Sequence, residues 1–325
     1  MDNPLAFESR HFRLQALADG VLTAIAANGG WAICNSGLID LGEQIVIFDT
    51  FLTPQAAQDL RWFAVEQYDR TPQFVVNSHY HNDHIWGNQV FAADAQILSS
   101  VRTRELIATE GMEELRWNQS NAAQRLESLQ TQFQNAGDPR QKQELLLWIG
   151  EYEGIVEALP QLKVCLPGVT FDTRLEIHGA RRACELVTFE GGHSGSDTIL
   201  YLPEEGIVFM GDLLFVGAHP FLADGDPQAL LIALREVSRL KATCFVPGHG
   251  PPGSRADVEL LSAYVESCLE IAGRLVDAGK FDEAAIKEVQ IPEAFQAWQL
   301  AQFYRSNLRF LCKRLSLAEN GARDG

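Results

Sequence analysis

His79-Tyr80-His81-Asn82-Asp83-His84 places three imidazoles and a carboxylate within six residues, after the apolar run Phe74-Val75-Val76. The chain holds 8 histidines in 325 residues, so three in one window call for a reason beyond packing. Neutral imidazole nitrogen and carboxylate oxygen are donors that suit zinc, iron or manganese. In extended backbone His79, His81 and Asp83 point to one side, and His84 points elsewhere unless the chain turns. A strand end bending into a loop is therefore expected to aim two donors at one metal and two at a neighbour.

The surrounding sequence reads as layered α/β. Residues 12 to 50 form strand-like runs broken by turns such as Asn28-Gly29-Gly30, with Trp31 to Leu38 as one run and Gln44 to Phe48 as the next. Residues 54 to 68 have helical spacing with Pro54 suited to a first turn, and Gln73 to Asn77 and Ala95 to Leu98 read as strands. From about 101 to 160 the composition shifts to Glu, Gln, Arg, Leu and Ala, which predicts an inserted helical hairpin broken at Gly137-Asp138-Pro139. That hairpin is expected to cover the core, make a dimer contact or shape an active-site mouth. Strands resume between Val169 and Met210, with a turn at Pro203-Glu204-Glu205-Gly206. Residues 227 to 240 are helical, and Cys244-Phe245-Val246 is a last strand. Helices follow from 255, with a stop at Gly279 and a long final helix predicted to start at Pro292. The last few residues alone read as a disordered tail.

Three further strand ends carry a donor: His193, Asp212 and His249, each beside glycine. In one sheet such ends converge on one edge, where α/β proteins place their sites. Five His and two Asp are enough for two metals.

Composition narrows the class. Apolar residues at 46% and charged residues at 21% are ordinary for a globular enzyme. Lys+Arg 26 against Asp+Glu 43 gives a net charge of −17, which argues against nucleic acid or an anionic membrane as partner. No segment reaches the ~18 apolar residues of a membrane span. Met1 to Glu8 lacks the basic start and apolar core of a leader, so a cytoplasmic location is expected. The six cysteines, Cys34, Cys165, Cys184, Cys244, Cys268 and Cys312, are scattered, form no C-x-x-C pair and read as reduced core thiols, poor metal candidates.

On these residues the chain resembles the metallo-β-lactamase-fold superfamily of metallohydrolases. Its H-x-H-x-D-H signature stands as His79-x-His81-x-Asp83-His84, and its later single ligands match His193, Asp212 and His249, over roughly residues 12 to 255. The resemblance implies an αββα sandwich spanning 1–255 with the helical insertion, followed by a C-terminal helical extension, 256–325, packed on the same domain. It implies that His79, His81 and His193 hold a first divalent metal, that Asp83, His84 and His249 hold a second, and that Asp212 bridges them. Zinc is the default, with iron or manganese as alternatives. Asp49, in Ile47-Phe48-Asp49-Thr50, resembles the family's early D-T pair and is expected to orient a ligand histidine.

The expected chemistry is hydrolysis of a small ester, lactone, thioester or lactam by hydroxide held between two metals, with Asp83 and Asp212 as the catalytic carboxylates. Ser194 and Ser196 are read as loop-formers, Trp86 as packing, His11 and His178 as surface residues, and His219 as a loop residue. A phosphodiesterase or nuclease, and a single-iron sulfur-oxidising oxidoreductase, are the alternative activities. The partner expected is a small molecule, with a homodimer open.

Overall fold

Alternation of apolar side chains decides how the two sheets stack. In the computed structural model, which describes residues 7–323, the first sheet runs in the order β1 (Phe12–Ala18), β2 (Val21–Ala26), β3 (Ser36–Asp40), β4 (Ile45–Phe48), β5 (Phe74–Val76), β6 (Gln96–Ser100) and β7 (Val169–Phe171). The readings of a leader and a loose tail fall partly on residues 1–6 and 324–325, which lie outside the described residues. β1 to β4 pair antiparallel, and β4 to β7 pair parallel. The second sheet contains β8 (Arg174–His178), β9 (Ala183–Glu190), β10 (Ser196–Leu202), β11 (Ile207–Phe209) and β12 (Cys244–Val246). It is antiparallel except for the parallel pair β11–β12.

Successive residues of a strand face opposite sides. On β4, Val46 and Phe48 join Leu200, Leu202 and Phe209 between the sheets, while Ile45 and Ile47 face outward. There they meet α1 (Pro54–Tyr68) through Ala56, Leu60 and Phe63. On β10, Ile199 and Tyr201 face the other outer layer, built by α7 (Pro227–Val237), α8 (Arg255–Asp277), α9 (Glu283–Glu288) and α10 (Gln302–Arg323). The result is an αββα sandwich.

Between β5 and β6 lie two single-turn helices, α2 (Asn82–Ile85) and α3 (Asn88–Phe91). Between β6 and β7 lies the predicted insertion. It comprises α4 (Val101–Leu106), a π-turn over Ile107–Gly111, α5 (Met112–Asn135) and α6 (Pro139–Ala158). Asp138 caps α6 by accepting from Arg140 N, and Pro139 occupies its first turn, as the sequence indicated.

Two expectations fail. The run Trp31 to Leu38 is a strand only from Ser36, because Ile33 turns into the left-handed region at φ 67° and Asn35 is drawn away to the loop at 247–250. Pro292 does not open a long helix. After a short turn at Glu293–Phe295, Gln299 N donates to Gly217 O and Gln299 O accepts from His219 N, holding that stretch extended. α10 begins at Gln302, just after the Glu144 carboxylate accepts from Leu300 N and Ala301 N.

Candidate metal centre

The histidine stretch is extended only at its start. β5 ends at Val76, and His81 becomes the N-cap of α2, so Asp83 and His84 sit on a helical turn. The two-residue period therefore does not carry Asp83 to the side of His79 and His81; the turn sends Asp83 and His84 the other way. The loop after β4 supports this turn. Asp49 adopts φ 61°, a costly conformation of about 1–3 kcal/mol for a non-glycine residue. Its Oδ1 accepts from Ser78 N at 2.7 Å, and its Oδ2 lies 2.7 Å from His84 Nδ1. Thr50 Oγ1 donates to the His84 carbonyl at 3.1 Å.

Each later donor is delivered by a glycine-bearing loop. His193 follows Gly191 (φ 77°) and Gly192 (φ 123°), and Ser194 Oγ donates to Asp197 Oδ1 at 2.9 Å, which is the loop-forming role expected of it. Asp212 sits on a single turn, Gly211–Leu213, directly after β11. His249 follows β12, in a loop clamped by Asn35, whose Nδ2 donates to Pro247 O at 2.9 Å and Gly250 O at 2.8 Å.

All seven predicted donors meet. His79 Nε2 lies 2.9 Å from His81 Nδ1, and His193 Nε2 lies 3.0 Å from the same atom. Asp212 Oδ2 is 4.0 Å from His79 Nε2 and 3.3 Å from His193 Nε2. The second group has His84 Nε2 3.2 Å from Asp212 Oδ1 and 3.5 Å from Asp83 Oδ2. In it His249 Nε2 is 3.4 Å from Asp83 Oδ2 and 3.3 Å from Asp212 Oδ2. Asp212 thus belongs to both groups.

Polar atoms crowded this closely need a common partner. His84 Nε2 and Asp212 Oδ1 are buried and face each other without hydrogen-bond geometry, an arrangement that divalent cations would satisfy. Burial holds His79 well below the ordinary imidazole value and His193 down at about 3, which favours the neutral, metal-binding form. Burial acts the same way on His84 but is outweighed by Cys34, Asp83, Asp212 and Asp49, so His84 is raised. Asp212 is held well below the usual carboxylate value: burial opposes this, but His249, His84 and His193 prevail.

The centre opens into a cavity of about 510 Å³ that Asp83, Asp212, His81, His193 and His249 reach from one side. α5 and α6 supply Glu114, Leu147, Trp148, Glu151 and Tyr152, so the insertion builds the mouth of the site. Phe215, Phe221, Leu300 and Phe303 close the other wall. Burial pushes Glu114 up to about 7 and Glu151 up to about 8. No Lys or Arg lines the cavity among the described residues.

Sequence reasoning missed Asp224, Glu114, Glu151 and Asn35. Asp224 Oδ2 accepts from His81 Nε2 at 3.1 Å and so leaves His81 Nδ1 for the centre. It stands in Ala223-Asp224-Gly225-Asp226-Pro227, where Asp226 caps α7 and nothing local marks Asp224 as a partner of His81. A Cβ on Gly225 would lie 2.0 Å from Gly192 O, so this glycine alone hinted that two loops press together there. Four other readings can be compared with the structure. His11 is buried, not a surface residue: its Nδ1 accepts from Trp31 N at 3.2 Å. His219 is also buried, beside Tyr264, Trp298 and Tyr304. Trp86 packs under the centre and His178 is exposed, as expected.

Comparison with known proteins agrees with the geometry. The chain is 26% identical over 276 residues to the 2,4-dinitroanisole O-demethylase subunit alpha of Nocardioides sp. (strain JS1661). That match covers 83% of this chain and 66% of the relative's length. Solved structures of similar fold include the metallo-beta-lactamase from Pontibacter korlensis, at 17% identity and TM-score 0.55, covering 78% of this chain and 99% of that one. The metallo-beta-lactamase from Erythrobacter litoralis, solved with beta mercaptoethanol in its active site, gives 17% identity and TM-score 0.57 over 80% and 99% of the two chains. The one from Hirschia baltica gives 13% identity and TM-score 0.54 over 79% and 98%. Residues 29–249, which carry every donor described above, match the profile of the Metallo-beta-lactamase superfamily, and the chain belongs to that family.

Proposed function

We propose that the protein is a two-metal hydrolase of small, uncharged esters, lactones, thioesters or lactams. The observation that carries this reading is that Asp212 belongs to both donor groups, and both open on one cavity. His79, His81, His193 and Asp212 would hold the first divalent ion, and Asp83, His84, His249 and Asp212 the second. When bound, such ions supply Lewis acidity and bring the pKa of water from ~15.7 to about 7.

The remaining work falls to the chain. Asp224 and Asp49 fix His81 and His84 so that one ring nitrogen of each faces the donors. Asp83 lines the cavity and can take up a proton on its carboxylate as the substrate is attacked. Trp148, Tyr152, Phe221 and Phe303 bind an apolar substrate face and exclude water. A cavity without Lys or Arg, on a chain of net charge −17, favours an uncharged substrate over a phosphodiester or nucleic acid.

A second reading, cleavage by water of the ether bond of an activated aryl methyl ether, is favoured by the O-demethylase subunit relative and the aromatic cavity walls. The chain spans 66% of that relative's length, so this substrate is an arm of the test. Purified protein is analysed for metals and assayed with aryl acetates, thioesters, lactones, lactams and 2,4-dinitroanisole. Close to two ions per chain and turnover of at least one of these is expected, with Asp212→Ala losing both. A single iron without hydrolysis, or full turnover by Asp212→Ala, overturns the reading.

A further inference from the structure

The seven predicted donors do not exhaust the ligand chemistry at the centre. Cys34 follows Ile33, whose φ of 67° is a strained conformation for a β-branched residue. The Cys34 side chain is fully buried, and its thiol donates to the Asp83 carbonyl oxygen at 2.8 Å. Its Sγ, a carboxylate oxygen of Asp83 and a ring nitrogen of His84 all lie within 4.8 Å of one another. Asp49 occupies His84 Nδ1 at 2.7 Å, so the free nitrogen is Nε2, which is buried and has no hydrogen-bond partner. Among the described residues, Cys34 is the one cysteine that joins a group of His, Asp or Glu donors.

We propose that Cys34 is a thiolate ligand of the second metal, on the Asp83 and His84 side of that site and in addition to His249 and Asp212. This inference rests on the two-metal reading above. On binding, the S–H bond breaks, the proton leaves to solvent through the cavity that Asp83 lines, and a sulfur lone pair forms the metal bond. Two positions of different character result. The first has nitrogen and oxygen donors only, which suit zinc, iron and manganese alike. The second gains a soft donor that selects zinc over manganese. Asn35, next in the chain, clamps the His249 loop, so one short segment both ligates the second site and positions its opposite donor.

The test uses the full chain, stripped of metal and reloaded with cobalt(II). Bound cobalt is measured by elemental analysis and near-ultraviolet absorption is recorded. The expected result is two cobalt ions per chain with a thiolate-to-cobalt charge-transfer band. In Cys34→Ser that band is lost and the second ion binds about tenfold more weakly. Two bound ions without the band, or a band that persists in Cys34→Ser, overturns the role of Cys34 and leaves the two-metal reading standing. Fewer than two ions at saturation overturns both. X-ray absorption of the zinc-loaded wild type needs no variant: a sulfur neighbour at about 2.3 Å supports the proposal, and a shell of nitrogen and oxygen alone refutes it.

Discussion

Asp49 shows how one carboxylate can position a candidate donor from outside the donor groups. It holds Ser78 N with one oxygen and His84 Nδ1 with the other, so it fixes both the backbone entering the histidine stretch and the ring that leaves it. Asp49→Ala is expected to weaken metal binding by about 10–100-fold while leaving the denaturation midpoint of the metal-free chain within a few degrees; competition with a chelator measures the first and thermal melting the second. His219 provides a prediction away from the centre. Burial pushes it from 6.5 down to about 4, so between those values the unfolded chain carries a proton that the folded chain does not. Stability attributable to His219 is therefore complete above pH 6.5 and falls by roughly 3 kcal/mol as pH drops to about 4. Urea titrations of the wild type and His219→Gln at several pH values should show a shallower acid loss in the variant; equal slopes would remove His219 from the account. At this scale the seven donors were legible because four cluster within six residues and each of the other three stands beside a glycine after a strand. Asp224 was not, since its meaning comes from contact with His81, 143 positions away.

Elements set the tolerance of the centre. The loop after β12 brings backbone so close to the turn after β11 that a Cβ at Gly248 would lie 1.8 Å from Asp212 Oδ1. Gly248→Ala should displace Asp212 from both donor groups and lower metal content well below one ion per chain, with the circular dichroism of the sandwich retained. Undiminished metal content would mean that the turn can move aside. The strands were readable as short runs bounded by turn residues, as at β4 and β10, and α1 and α6 from their prolines and caps. The stretch from Pro292 misled because proline permits a helix start without requiring one, and long-range pairing of Gln299 with Gly217 and His219 won. The one-turn helix α2 was equally hidden. Four residues carry too little periodicity to announce a turn, yet that turn separates Asp83 and His84 from His79 and His81.

Across the whole molecule, the ligands and the cavity walls have separate origins. The donors come from loops at the ends of the two sheets, whereas much of the wall comes from α5, α6 and the segment before α10. Trp148, which meets Phe303 edge-on at 5.4 Å, joins the insertion to the C-terminal helix. Trp148→Ala is expected to raise KM about five- to tenfold for an aromatic substrate, with metal content and the turnover of a small aliphatic ester little changed. An equal loss for both substrates would place Trp148 in the support of the centre instead. The sequence exposed the insertion as helical, but its position over the donor groups emerges only when the β6–β7 crossover folds back across the sandwich. This division of labour bears on descent. Heritable changes along the hairpin can accumulate and be selected for new substrates while the donor loops are inherited intact, so homologues that share every metal-binding residue can diverge in diet by drift of a single helical surface.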